Sequence, residues 1–327
     1  MIDLHLHFDG SLFPRTILEL AREQQISLPA EDPDELKLFL TAPEDCESLN
    51  EYLEKFDLPL LVLQTKEAIR KGMYTLLSSL REQGLLYAEV RFAPQLHQKK
   101  GLTQEEVVQA AILGMQEATA GSFFKAKLIL CCMRGGDNWE ANKKTIETAA
   151  AFLGRGVAAA DLAGAEALYP TGDFEKLFTY AKSLGVPYVI HAGEADGPES
   201  IEAALRFGAV RIGHGVRASE DEKILEFLKE RQIPLEMCPT SNVQTKAVSN
   251  FSEHPILTFL RSGLKVTVNT DNMTVSDTTI EREYRRLEAE LGMTKEEQRI
   301  LLFNAVDAAF LTAEERGRMK DVIGRIV

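Results

Sequence analysis

Four of the six histidines in this sequence lie at the end of an apolar run. His5 and His7 are separated by one residue, so on a β-strand both imidazoles would point the same way and could converge on one ion. His191 follows the apolar run 186–190, and His214 lies between two glycines, which would let a ligand approach closely. A surface pair and a tight turn are the alternative explanations for these histidines when each is taken alone.

Two carboxylates accompany these histidines. Glu194 lies three residues after His191, and Asp271 follows the last apolar run. A surface-loop carboxylate and a helix N-cap are the respective alternatives. Imidazoles combined with a carboxylate suit zinc or a similar divalent ion, so the set favours a metal site. The two other histidines, His97 and His254, are expected to be surface or helix-capping residues.

The elements that would position these residues are eight short apolar runs, which read as strands buried on both faces. Helix-like stretches separate them, and several end at a glycine just before the next run. This alternation predicts an α/β fold, a (β/α)8 TIM-type barrel, whose active site forms at the carboxyl ends of the strands. The predicted strands are 2–6, 86–92, 126–133, 156–162, 187–190, 210–213, 234–238 and 264–269.

The long gap after the first strand predicts a helical insertion over residues 13–83 that could cover the barrel mouth. Its candidate helices are 14–24, 47–64 and 66–83. Extra C-terminal helices are expected from about 279 to 291 and from 295 to the end of the chain. We find no linker, repeat or low-complexity tract, so residues 1–327 are expected to form one domain.

The net charge of −13 argues against nucleic acid or an anionic membrane as a partner, because both favour a basic surface. No apolar stretch approaches the length of a membrane span, and the first residues do not resemble a signal peptide. We therefore expect a cytoplasmic protein with a small, weakly charged substrate. The oligomeric state stays open.

The same residues belong to a series of motifs that resembles, in order and along nearly the whole chain, the adenosine deaminase family of metal-dependent purine deaminases. The motifs are Asp3-Leu-His-Leu-His-Phe-Asp-Gly-Ser11, Ala88-Glu-Val-Arg-Phe-Ala-Pro94, Asp161-Leu-Ala-Gly164, His191-Ala-Gly-Glu194, Arg211-Ile-Gly-His-Gly215, Cys238-Pro-Thr-Ser-Asn242 and Asn269-Thr-Asp271.

The resemblance implies one Zn²⁺, or another divalent ion, per chain. A two-metal relative would commonly carry a bridging lysine at the end of strand four, where this chain has none. Glu194 would be protonated and would face purine N1, and His214 would orient the attacking water and act as base alongside Asp271. The implied metal ligands are His5, His7, His191 and Asp271.

Substrate contacts are also implied by the resemblance. His7 and Asp9 would contact the substrate, Asp9 at the ribose hydroxyl end, and the backbone N–H of Gly164 would reach N3. Asn272 stands where the family commonly has an aspartate facing N7, and its amide can donate to that acceptor. Two further departures from the family pattern bear on ribose-side specificity. Ala165 stands where an acidic residue is common, and Phe13 stands where a basic or polar residue is common.

The expected function is hydrolytic deamination of adenosine or 2′-deoxyadenosine to the inosine product. A deaminase of adenine or of a 5′-modified adenine nucleoside, such as aminofutalosine, is the nearest alternative, and Asp9 favours a free 5′-hydroxyl. A silent nucleoside-binding protein would have no need of Glu194 and His214. A metal-dependent esterase or lactonase is less consistent with the missing lysine.

Overall fold

A computed structural model describes residues 1–43 and 45–326. Within them, the eight predicted strands are present in two parallel four-stranded sheets, ordered β1-β2-β3-β4 and β5-β6-β7-β8. Single bridges join the two sheets at both seams, Ala160 with Tyr188 and Leu6 with Asp271. The fold is an α/β TIM-type barrel, as predicted, with one bridge at each seam in place of a continuous ladder. The strands are Ile2–His7 (β1), Tyr87–Phe92 (β2), Lys125–Met133 (β3), Val157–Ala163 (β4), Val189–Ala192 (β5), Arg211–His214 (β6), Leu235–Met237 (β7) and Val266–Val268 (β8).

The α-helices surround the sheets and fill the long connection after β1. In the described part of the chain they are α1 (Pro14–Gln24), α2 (Pro33–Leu40), α3 (Leu49–Leu53), α4 (Asp57–Val62), α5 (Lys66–Glu82), α6 (Gln104–Thr119), α7 (Trp139–Phe152), α8 (Glu175–Ser183), α9 (Pro198–Phe207), α10 (Glu222–Arg231), α11 (Pro239–Gln244), α12 (Ile256–Arg261), α13 (Ile280–Leu291), α14 (Lys295–Ala308) and α15 (Ala313–Ile326).

The predicted helical insertion is confirmed as α1–α5, with two differences from the prediction. The predicted helix 47–64 is divided into α3, a short 3-10 turn at Glu54–Phe56, and α4. An additional helix, α2, begins after Asp32, whose side chain accepts the backbone N–H groups of Asp34 and Glu35. An Asp-Pro start is a recognised helix signal, so α2 could have been predicted. Glu44, within the insertion, lies outside the described residues.

The C-terminal helical region is divided between α14 and α15 at residues 309–312. The break brings the N–H of Phe310 to a carboxylate oxygen of Glu89, at 2.7 Å. It also lets Arg211 donate to the carbonyl of Ala308, at 2.7 Å. The end of α14 therefore supplies partners for buried charges, which a sequence pattern does not reveal. Val327, the last residue of the predicted region, lies outside the described residues.

Buried charges occupy the interior of the barrel. Arg211 on β6 pairs with Glu89 on β2 and with Glu236 on β7. Arg91 on β2 donates to Glu236 at 2.7 Å and to Asp161 on β4 at 2.8 Å. All five side chains are at most 2% exposed. Because a buried charge is costly unless it is paired, these ion pairs fix the relative positions of strands from both sheets.

The helices also bear on a possible membrane location. Among the described residues, no helix is both long enough and apolar enough to cross a bilayer.

Candidate active site

The ends of β1, β5 and the segment after β8 bring together the four predicted metal ligands. One ligand atom from each of these side chains lies within 4.8 Å of the others. The Nε2 atoms of His7 and His191 are 3.2 Å apart, and an Asp271 oxygen lies 3.4 Å from the Nε2 atoms of both His5 and His7. The four residues are His5, His7, His191 and Asp271.

This arrangement fits a cation. The Nε2 atom of His5 is buried and makes no hydrogen bond with the described residues, and an Asp271 oxygen lies 3.4 Å from it. An unpaired buried nitrogen is unfavourable. Three imidazole nitrogens and one carboxylate oxygen directed at one point are the donor set that a divalent ion such as zinc prefers.

Two of these histidines are oriented by carboxylates on the far side of their rings. His5 contacts Glu236 through Nδ1 at 2.9 Å, and His191 contacts Asp161 through Nδ1 at 3.0 Å. A carboxylate accepts a hydrogen from Nδ1, so the lone pair remains on Nε2, where a metal can bind. Burial lowers the pKa of His5 to about 4, which keeps its ring neutral.

Sequence reasoning assigned no role to Glu236. The signal was present, because Glu236 is a carboxylate in the middle of the apolar run 234–238, and a buried charge there requires a partner.

The backbone of Asp271 has a left-handed conformation, with φ of 61°. The chain is held there by two hydrogen bonds of 2.7 Å, from the N–H of His7 to the Asp271 carbonyl and from the N–H of Asp271 to the His5 carbonyl. The hydroxyl of Ser241 donates to the Oδ2 atom of Asp271 at 2.6 Å. This bond leaves the Oδ1 atom free to face the histidines, so Asp271 serves the cluster and does not cap a helix.

Glu194 and His214 lie beside the cluster, and the rings of His214 and His5 have their centroids 4.8 Å apart. Glu194 is 4% exposed, which excludes a surface-loop carboxylate. Its Oε1 atom accepts a hydrogen bond from Thr245 at 2.8 Å, and its Oε2 atom lies 3.5 Å from the Nε2 atom of His214. Burial raises the pKa of Glu194, so the carboxyl keeps its proton to a higher pH than an exposed glutamate would.

The segment that carries Glu194 is held by a second buried glutamate, Glu166. Its carboxylate accepts four backbone N–H groups, those of residues 193–196, at 2.7 to 3.1 Å. These bonds fix the direction in which Glu194 leaves the backbone. Sequence reasoning passed over Glu166, because an acidic residue in a loop is usually a surface residue.

The four predicted substrate-binding residues line one cavity together with His191, Asp271 and Glu194; they are His7, Asp9, Gly164 and Asn272. Gly164 has a φ of 108°, which only glycine adopts readily. Apolar side chains of the helical insertion form the outer wall, as expected for a cover over the barrel mouth; they are Leu49, Tyr52, Leu53, Phe56 and Leu60.

Asn272 lies directly against Gly10. A Cβ atom at residue 10 would be 1.9 Å from the Oδ1 atom of Asn272, so glycine is required there. That Oδ1 atom is buried and has no hydrogen-bond partner among the residues that the structure describes. Asn272 is also among the residues that line the cavity.

Four other sequence-based interpretations can be compared with the structure. His97 and His254 are buried, at 0% and 3% exposure, so the expectation of surface histidines was wrong for both. The capping alternative is confirmed for His254, whose Nδ1 atom accepts the N–H of Ile256, the first residue of α12, at 3.3 Å. His97 contacts the carbonyl of Leu63 through Nδ1 at 2.8 Å. Phe13 and Ala165 are not among the described residues that line the cavity.

Comparisons with known proteins agree with the resemblance. The family model "Adenosine deaminase" matches residues 1–326. The chain is 50% identical to an adenosine deaminase from Haemophilus ducreyi, over 97% of this chain and 93% of the relative. It is 42% identical to an adenosine deaminase from Clostridium botulinum, over 99% and 97% of the two chains. The crystal structure of an adenine deaminase from Arthrobacter aurescens is similar, with a TM-score of 0.90 at 27% identity, over 99% and 98% of the chains.

We predict that Glu166→Gln destabilises the protein. An amide offers one acceptor oxygen in place of two, so backbone N–H groups in the segment 193–196 would lose their partners. The free energy of unfolding should fall by about 1–3 kcal/mol, as measured by urea denaturation. Glu175→Gln, at an exposed position, is the control and should leave stability nearly unchanged. Equal stability of the two variants would show that Glu166 does not hold this segment.

Proposed function

This chain belongs to the adenosine deaminase family, and we propose that it hydrolyses adenosine and 2′-deoxyadenosine to inosine and 2′-deoxyinosine with release of ammonia. The observation that carries the proposal is the position of Glu194, a buried carboxyl with a raised pKa, in the cavity that His7, His191 and Asp271 of the four-residue cluster also line. Pure binding of a nucleoside would not need a proton donor opposite a metal site.

We propose that the cluster holds one Zn²⁺ through His5, His7, His191 and Asp271. When bound, such an ion lowers the pKa of a water toward ~7 and so makes a nucleophile available near neutral pH. Proton transfer and the orientation of the substrate are tasks for the protein's own residues.

Glu194 donates its proton to N1 of the purine, which makes C6 electrophilic. The attacking water gives up a proton to the Asp271 carboxylate as its oxygen forms a bond to C6. The bond from C6 to the amino nitrogen then breaks, and that nitrogen takes up a proton released from the oxygen, so that ammonia leaves and a C6 carbonyl remains. His214, 3.5 Å from Glu194, lies where it can hydrogen-bond the attacking oxygen. Apolar residues of α3 and α4 line the same cavity and would reduce the access of bulk water to the reacting atoms.

The remaining polar residues of the cavity would orient the nucleoside. The backbone N–H of Gly164 would donate to N3, and Asn272 would donate to N7. His7 and Asp9 would face the ribose side. Burial raises the pKa of Asp9 to about 6, so near neutral pH its carboxylate would accept a hydrogen bond from a 5′-hydroxyl and would repel a phosphate. This charge favours a nucleoside over a nucleotide.

Adenine itself is the second candidate substrate. The similarity to an adenine deaminase structure favours it, since the two chains share nearly their whole length. The buried Asp9 distinguishes the two candidates, because adenine has no ribose hydroxyl to pair with that carboxylate.

A substrate panel tests the proposal. Purified, zinc-loaded protein is incubated with adenosine, 2′-deoxyadenosine, adenine, AMP and a 5′-deoxy-5′-modified adenosine, and both ultraviolet absorbance and ammonia are followed. We expect the two nucleosides to give the highest kcat/KM. Preference for adenine would assign the second function, and turnover of none of these compounds would overturn both.

We predict that Glu194→Gln keeps the fold and the metal content but loses most turnover, because an amide cannot protonate N1. The loss in kcat should be about 10²–10⁴-fold. Circular dichroism and metal analysis serve as controls on the same sample. A metal-replete variant that turns over at nearly the parental rate would refute the role of Glu194.

Removal of metal should abolish activity, and one equivalent of zinc should restore it. His5→Ala and His7→Ala should each lower metal content, measured by atomic emission after gel filtration. His97→Phe, which changes a buried histidine outside the cluster, is the matched control and should retain metal. Two metal ions per active chain would contradict the one-metal proposal.

We predict that Asn272 reads purine N7. In 7-deazaadenosine the acceptor is replaced by C–H, so the amide donor would lose its partner, and kcat/KM should fall roughly 5- to 150-fold. Because the ring of the analogue also differs electronically, the comparison needs Asn272→Ala. This variant should be slow on adenosine and should discriminate less between the two nucleosides. Equal discrimination by variant and parent would mean that Asn272 does not read N7.

A further inference from the structure

The Nδ1 atom of His214 faces away from the cavity and contacts a side chain from the Cys238–Asn242 motif. The amide nitrogen of Asn242 lies 3.0 Å from this Nδ1 atom, and both residues are at most 1% exposed. Asn242 lies on α11, and its amide oxygen is shared by two groups, the backbone N–H of Cys238 at 3.2 Å and the Nε2 atom of His254 at 3.2 Å. The three side chains therefore form a buried chain that ends at the active site.

Two backbone N–H groups, which can only donate, fix the direction of each hydrogen bond that links His214, Asn242 and His254. At the far end, the N–H of Ile256 donates to the Nδ1 atom of His254 at 3.3 Å. The hydrogen of a neutral His254 ring is then on Nε2, where it donates to Asn242. Burial lowers the pKa of His254 to about 3, so this ring is neutral.

The backbone N–H of Cys238 fixes the orientation of the Asn242 amide, the middle member of the three linked side chains. Because it must meet an acceptor, the oxygen of the Asn242 amide faces Cys238 and His254, and the NH₂ group faces His214. The amide therefore donates to the Nδ1 atom of His214, which acts as an acceptor. A neutral His214 ring then carries its hydrogen on Nε2, the atom that faces Glu194 and the cavity.

We propose that Asn242 and His254 are positioning residues that fix His214 as the Nε2–H tautomer, so that His214 presents a hydrogen-bond donor to the attacking oxygen rather than a lone pair. His5 and His191 have the opposite arrangement, with a carboxylate at Nδ1 and a lone pair at Nε2. The proposed effect on turnover rests on the proposed function, whereas the tautomer itself can be measured without any substrate.

Asn242→Asp is the sharpest test. An aspartate has the same shape and still accepts from Cys238 and His254, but it also accepts from the Nδ1 atom of His214, which would then have to carry a hydrogen. His254→Phe removes the donor at the far end, and His254→Gln is the conservative rescue, since a glutamine amide can replace an Nε2–H donor. His97→Phe is the control for loss of a buried histidine that has no link to His214.

Long-range ¹H–¹⁵N spectra of the zinc-loaded protein, with ¹⁵N-labelled histidine, report which nitrogens carry hydrogen. We expect hydrogen on Nε2 and none on Nδ1 for both His214 and His254 in the parent. In Asn242→Asp, hydrogen should appear on the Nδ1 atom of His214, and kcat should fall by about 10²-fold. His254→Phe should lose roughly 5-fold in kcat, and His254→Gln should recover most of it.

A parent spectrum with hydrogen on the Nδ1 atom of His214 would overturn the proposal. So would an Asn242→Asp variant that turns over at the parental rate, or a His97→Phe variant that loses as much kcat as His254→Phe. If the parent deaminates none of the panel compounds, the proposed function fails, and the parent spectrum still decides the tautomer.

Discussion

Inside the barrel, Arg91 lies between two carboxylates, Asp161 and Glu236, and each of these carboxylates also holds a histidine of the proposed metal site. Breaking a buried ion pair of this kind typically costs about 3–5 kcal/mol, because it leaves a charge in the interior without a partner. The pairing of buried charge is therefore the constraint on which the site depends. It ties the positions of β2, β4 and β7 to the orientation of imidazoles on β1 and β5, so the same contacts serve stability and ligand geometry.

Backbone conformation is the second means of positioning. His214, the last residue of β6, and Asp271, in the segment after β8, both have left-handed φ angles, of 60° and 61°. Such conformations are uncommon for residues with a side chain and require support from the surroundings. Asp271 is held by two backbone hydrogen bonds to β1 at a seam of the barrel. Close packing also contributes, since a Cβ atom at Gly213 would be 3.1 Å from the ring of His5.

The sequence was sufficient for the architecture, because eight strands buried on both faces leave a continuous apolar signal that charged loops interrupt. It also pointed to the residues at the strand ends, since histidines and carboxylates there have few structural reasons to exist. It did not reveal the break at residues 309–312 or the partners of Glu166, because both depend on contacts between distant parts of the chain. For His254 the sequence indicated a helix start, where its Nδ1 atom does accept the N–H of Ile256, but it did not reveal that the Nε2 atom of the same ring contacts Asn242, twelve residues away, inside the protein.

The residues behind the active site divide its histidines into two kinds. Behind His5 and His191 the partner of Nδ1 is a carboxylate, Glu236 and Asp161 respectively. Each of these rings donates from Nδ1 to the carboxylate and offers the Nε2 lone pair to the cluster, which suits a metal ligand. Where the partner is the amide of Asn242, the ring of His214 accepts outward and offers N–H inward, which suits a hydrogen-bond donor to an oxygen. The imidazoles are chemically identical, and the sequence at the strand ends does not distinguish them. The distinction comes from whether an acid or an amide lies behind each ring, and so the second layer of residues determines which histidines can ligate a metal and which can direct a nucleophile.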